Sequence, residues 1–88
     1  MTNNKYQPGD IVDLDDVVWR SPEVAANVLA SIMEGVQLFL RAGLEFDPAQ
    51  LELQACRLKD DVLHVFVELP HGHEVSALVS SNEWGWRK

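Results

Sequence analysis

Between Pro22 and Ala42 the apolar residues recur at intervals of three and four, the spacing of one face of an α-helix; from Leu51 onward they recur at every second residue, the spacing of strands. The helix has well-marked ends. Ser21 can cap the first amides, Pro22 suits the first helical position, and Glu23 sits at the positive end of the dipole. Arg41 lies in the last turn, and Gly43 follows as the expected left-handed residue. At 100° per residue, Val24, Gly35, Val28, Phe39, Ile32, Ala25, Val36, Leu29, Leu40 and Met33 share one half of the wheel. Glu23, Asn27, Glu34, Gln37 and Arg41 fall in the other half. A surface helix needs an apolar stripe of about 100°, and this arc covers about 180°. One small sheet does not conceal so wide an arc, so a further element or another molecule is expected over the rest.

Leu51, Leu53 and Ala55 alternate with Glu52, Gln54 and Cys56; Leu63, Val65, Val67 and Leu69 with His64, Phe66 and Glu68; and Val75, Ala77 and Val79 with Ser76, Leu78 and Ser80. Lys59-Asp60-Asp61 and His71-Gly72-His73 supply the turns, which predicts an antiparallel meander. A one-residue slip would turn each apolar set to the wrong face, so the register is constrained. Leu53 is expected opposite Val67, and Ala55 opposite Val65, across a three-residue loop at 59–61. Val67 is expected opposite Ala77, and Val65 opposite Val79, around a loop centred on Gly72. The helix takes the face bearing these residues. The other face then carries the rows Gln54–Phe66–Leu78 and Cys56–His64–Ser80.

Phe46 to Gln50 predicts a turn capped by Asp47. Asp10 to Leu14 is expected as a short strand joining the sheet, in preference to a capped helix over Asp13 to Trp19. The fold class is therefore α+β: one long helix on a three-stranded antiparallel meander, in the order αβββ, with an extra short N-terminal strand. The 88 residues form a single small domain, with tails at 1–9 and 82–88.

Charge narrows the choice of partner. Fourteen acids against seven bases give −7 and a pI near 4.7, unfavourable for nucleic-acid backbones and anionic membranes. Asp10, Asp13, Asp15, Asp16 and Glu23 against the single Arg20 place −4 of that −7 within residues 10–23. Such a patch suits a protein partner with a basic surface. The polar start, Met1 to Tyr6, and the lack of an uninterrupted apolar run of about 18 residues lead to the expectation of a soluble, cytoplasmic chain.

Candidate chemistry is sparse. One cysteine excludes an intrachain disulfide and a Cys-rich zinc module. The register sets Cys56 beside His64, the minimum for an activated thiol, yet no group beyond Ser80 is placed to orient the histidine and no glycine-rich oxyanion loop adjoins it. His71 and His73 have a chelating spacing, but zinc takes three or four ligands and His64 is about 20 Å back along the strand. No metal and no cofactor are expected. Trp19, Trp84 and Trp86 lie outside the helix and the central strands, either as interface anchors or as lids over a thin core. Ser31, Gly35 and Ala42 cluster at one edge of the helix beside Leu38, while Phe66 and Leu78 mark the outer sheet face; both are candidate self-association surfaces for a homodimer.

The pattern is that of a small acidic non-catalytic protein-interaction domain of the adaptor, inhibitor or immunity/anti-defence type. The alternative is a small homodimeric enzyme or ligand-binding protein with an inter-subunit pocket involving His64/Cys56 or His71/His73.

Overall fold

The computed structural model describes residues 6–87; residues 1–5 of the first tail and Lys88 of the second lie outside that range. Its elements are β1 (Ile11–Val12), β2 (Val17–Trp19), α1 (Pro22–Arg41), β3 (Gln54–Arg57), β4 (Leu63–Glu68), β5 (Glu74–Val79) and β6 (Trp84–Trp86). Two antiparallel sheets form: a four-stranded one in the order β1-β3-β4-β5, and a ribbon of β2 with β6. The expected meander is thus the β3–β4–β5 part of a larger arrangement.

Local chemistry sets the ends of α1. The Ser21 hydroxyl accepts a hydrogen bond from the Val24 amide at 3.3 Å, with Pro22 in the first turn. At the other end Gly43 has φ +98°, Leu44 N–H donates to the Phe39 carbonyl and Gly43 N–H to that of Leu40. That is a Schellman closure, which needs a residue comfortable at positive φ. Asp47 likewise caps the short turn Pro48–Gln50 through the Ala49 amide.

The N-terminal segment combines features of both sequence expectations. Ile11–Val12 joins the sheet beside β3, and Asp13 then caps a single 3₁₀ turn through the Asp15 amide. Val17–Trp19 is not helical; it pairs with Trp84–Trp86. Residues 84–86, placed in a tail by the sequence pattern, are therefore a strand.

The β3–β4 register is as expected, with Ala55 opposite Val65 and Cys56 opposite His64. The β4–β5 register is corrected by two residues: Val65 faces Ala77 and Val67 faces Val75. The cause is the turn. Both His71 (φ +64°) and Gly72 (φ +77°) take left-handed conformations, so the loop comprises residues 70–72 and Leu69 N–H already donates to the His73 carbonyl. A shift of two preserves the inner face but changes the outer rows. These become Ile11–Cys56–His64–Leu78 and Gln54–Phe66–Ser76, and Ser80 is not beside His64.

The core has two continuous parts over one face of the large sheet. Val28 of α1 packs with Val12, Val17, Ala55, Leu63, Val65, Val79, Trp84 and Tyr6 at the ribbon end. Ile32 and Val36 pack with Val67, Leu69 and Val75 at the other, supported by Phe39, Leu40, Leu44, Phe46 and Leu51. The ribbon and the segment after α1 therefore supply part of the cover that the wide helical arc demanded. At mean hydropathy 1.3, α1 is long and apolar enough to cross a membrane; the core helix of a folded domain has the same composition, and Val28, Ile32 and Val36 of α1 are buried against the sheet.

Candidate functional site

The first candidate is the Cys56–His64 pair. Its strands pair directly, and Sγ lies 3.5 Å from Nδ1. The imidazole also stacks on Phe66, with centroids 5.1 Å apart. Burial, with the Glu74 carboxylate adding to it, pushes the thiol above its ordinary value. Sγ and Nδ1 are within hydrogen-bond reach, and the raised thiol value disfavours the thiolate that nucleophilic chemistry needs. The flanking residues of the same row are Ile11 and Leu78, both largely exposed and neither able to orient the imidazole. Phe66, expected on an exposed association surface, is instead buried.

His71 and His73 sit on an exposed hairpin tip, where the His73 ring packs against Phe39 with centroids 5.0 Å apart. Among the described residues no three His, Cys, Asp or Glu side chains gather as a metal site would require.

The second candidate is the acidic N-terminal segment, which has structural work. Asp10 accepts from the Gln7 amide at 2.9 Å, Asp13 caps the 3₁₀ turn, and the Asp16 carboxylate accepts from Tyr6 Oη–H at 2.6 Å. Asp15 and Glu23 point into solvent. Around them the aromatics assemble. Tyr6 stacks on Trp86 (5.3 Å), Trp86 meets Trp84 edge-on (4.8 Å), and the Arg57 guanidinium lies 5.7 Å from the Trp86 ring. Arg57 also donates to the Tyr6 carbonyl and pairs with Asp61, while Trp84 Nε1–H donates to the Asp61 carbonyl at 2.8 Å. Trp84 is buried, so it pins the ribbon to the core and is not a surface anchor; Trp19, opposite it, and Trp86 are half-buried.

The third candidate is the surface of α1. Gly35, considered for a helix–helix contact, faces β5: a Cβ built there would overlap Cγ1 of Val75 and lie 3.3 Å from its Cγ2. Ser31, Leu38 and Ala42 remain exposed on that side of the helix. On the opposite flank, Leu29 (50% exposed) and Met33 (52%) stand one turn apart outside the core. The pattern places both in the apolar arc as core candidates. Their position at its border, more than a quarter-turn from Val24 and Val28, was the available signal.

Between α1 and β5 runs a shallow groove of about 160 Å³, lined by Val24, Asn27, Val28, Ser31, Ala77, Leu78, Val79 and Glu83. Small-molecule pockets commonly hold about 300–1,000 Å³ and enclose their ligand. The edge of β5 itself, whose backbone borders this groove, carries no sequence signal, because strand order is decided by pairing.

No family model, curated protein or solved structure matches this chain. What the fold and its surfaces define is an α+β domain of one helix over a four-stranded antiparallel sheet, closed by a two-stranded ribbon.

Proposed function

We propose that this chain is a non-catalytic protein-interaction domain, a small acidic adaptor or inhibitor that acts by binding a protein partner. The observation that carries this reading is the pair Leu29 and Met33, each half exposed on α1 although the core side of the helix is already filled by Val28, Ile32 and Val36. Two large apolar side chains at i and i+4 are the anchor pattern by which a helix engages a protein groove. Completing the burial of each would stabilise a complex by about 1 kcal/mol, half of the value for a fully exposed side chain of that size. Glu23, in the first turn of the same helix, and Asp15 add exposed negative charge suited to a basic rim.

The test is affinity capture of the tagged chain from extracts of its source cells, at low and high salt, beside L29E/M33E and D15N/E23Q. One protein in stoichiometric amount should co-elute with the wild type, be lost with L29E/M33E, and be weakened by salt and by D15N/E23Q. Absence of any specific partner, or a partner that L29E/M33E retains, overturns the reading.

A further inference from the structure

The two edges of the large sheet differ. On one side β1 is two residues long, a short edge that offers little to a passing strand. On the other, β5 runs for six residues, Glu74–Val79, pairs without a bulge along β4, and contains neither proline nor lysine. Among the described residues no strand lies beyond it. The hydrogen-bonding parity follows from the hairpin. Leu69 N–H donates to the His73 carbonyl, and antiparallel ladders alternate, so Val75, Ala77 and Val79 spend their backbone groups on β4. Glu74, Ser76 and Leu78 therefore direct both N–H and C=O outward. Leu78 is 67% exposed, the highest value among the exposed large apolar side chains.

We infer that this edge is a homodimer seam, in which β5 pairs antiparallel with β5 of a second copy about a twofold axis at Ala77. The sequence of the strand is self-complementary in that register. Val75 falls opposite Val79, Ser76 opposite Leu78, and Glu74 opposite Ser80, so the one charge of the strand does not meet its own copy. The core-facing residues stay on one side, because pairing about a residue preserves parity, whereas pairing about a peptide bond would set Ala77 against Ser76 and turn the valines to solvent. The helix contributes a second layer. Asn27 and Ser31 border the groove beside Ala77 and Leu78, and Leu38, seven residues from Ser31 and 58% exposed, continues the same flank. A twofold seam places these flanks of the two helices side by side, with the small Ser31 side chain permitting close approach. Leu29 and Met33 lie on the opposite flank, so this proposal and the partner reading stand or fall separately.

The test is sedimentation velocity of the full chain at concentrations up to about 100 μM, with amide hydrogen exchange followed by NMR. The wild type should form a closed dimer in which the amides of Ser76 and Leu78 gain protection as concentration rises. L78K puts a charge on the exposed side of the edge, and S76P removes a donor that the β4 ladder does not use. Either should weaken dimerisation by about tenfold or more, equivalent to 1.4 kcal/mol, with the circular dichroism of the monomer unchanged. L78K carries the test if S76P does not fold. A wild type that stays monomeric, open-ended polymers in place of a dimer, or a dimer whose Ser76 and Leu78 amides exchange freely and that survives L78K would each overturn the proposal. A monomer whose Ser76 and Leu78 amides become protected only on adding an extended peptide would assign the edge to a strand from another protein instead.

Discussion

Replacing Gly35 by alanine sets two terms of similar size against each other. In a helix interior alanine is favoured over glycine by about 1 kcal/mol, so an unobstructed site would be stabilised. Here the new Cβ would overlap Cγ1 of Val75 and press on Cγ2 at 3.3 Å. Val75 is buried and β-branched, so it has no free rotamer into which to retreat. Overpacking of this kind costs about 1–3 kcal/mol. The expected net effect of Gly35→Ala is a loss of about 1 kcal/mol, or about 4–8 °C in Tm for a domain of this size. Val75→Ala alone removes two buried methyl groups and costs about 2 kcal/mol. In that background nothing lies closer than the Val75 Cβ, at an ordinary 3.5 Å, so the same glycine substitution should now stabilise by about 1 kcal/mol. The coupling across the double-mutant cycle is then about 2 kcal/mol. Urea unfolding followed by tryptophan fluorescence, with Trp84 as the buried reporter, measures all four corners at low protein concentration. A G35A protein at least as stable as the wild type, or an equal effect in both backgrounds, would refute the close approach of α1 to β5.

The other predictions concern how the ribbon is held and what the thiol does. Tyr6→Phe removes the bond from Oη–H to Asp16 and the acceptor for the Asp13 amide, and should cost about 1–2 kcal/mol in the same urea assay. Trp84→Phe loses both indole volume and the hydrogen bond to the Asp61 carbonyl; a loss of about 2–3 kcal/mol is expected, and a change below about 0.5 would mean that the ribbon is not pinned there. For Cys56, the rate of alkylation by iodoacetamide should rise with a midpoint above that of a free thiol, since burial disfavours the thiolate. A midpoint below the ordinary thiol value would reinstate the activated nucleophile. Because the folded-state value is raised, the unfolded chain gives up this proton first. The thiol's contribution is complete below the unfolded value and is lost as pH rises through the folded one, so Cys56→Ala should flatten the alkaline fall in stability.

Much of this architecture was legible because its causes are local. Ser21, Pro22 and Gly43 define both ends of α1 by satisfying or sparing backbone groups within a few residues. Alternation from Ala55 to Val79 assigned the inner face, since strand side chains change sides at every step. It also set Cys56 beside His64, because a three-residue turn at 59–61 leaves only one register. The β4–β5 register escaped by two residues because a face pattern of period two does not distinguish a shift of two, so the turn at 70–72 alone decides it.

What the chain determined by itself is therefore the long helix, the three strands of the meander, the side each shows to the core, and the concentration of acids before the helix. What only the tertiary structure decided is everything that depends on residues distant in sequence. Val17–Trp19 could become a strand only because Trp84–Trp86 arrives beside it, and Trp84 became core and not surface because it packs with Val17, Val28 and Val79 while the Asp61 carbonyl receives its indole N–H. Asp10 and Asp13 were drawn into local turns and Asp16 into the Tyr6 contact, and of the five acids only Asp16 lost its full exposure. Sequence pattern specifies which face of a helix or strand is apolar; how wide a face the fold can cover, and which strand is left at the edge, are properties of the assembled sheet. Those two properties leave Leu29 and Met33 exposed on one flank of α1 and the backbone of β5 open on the other.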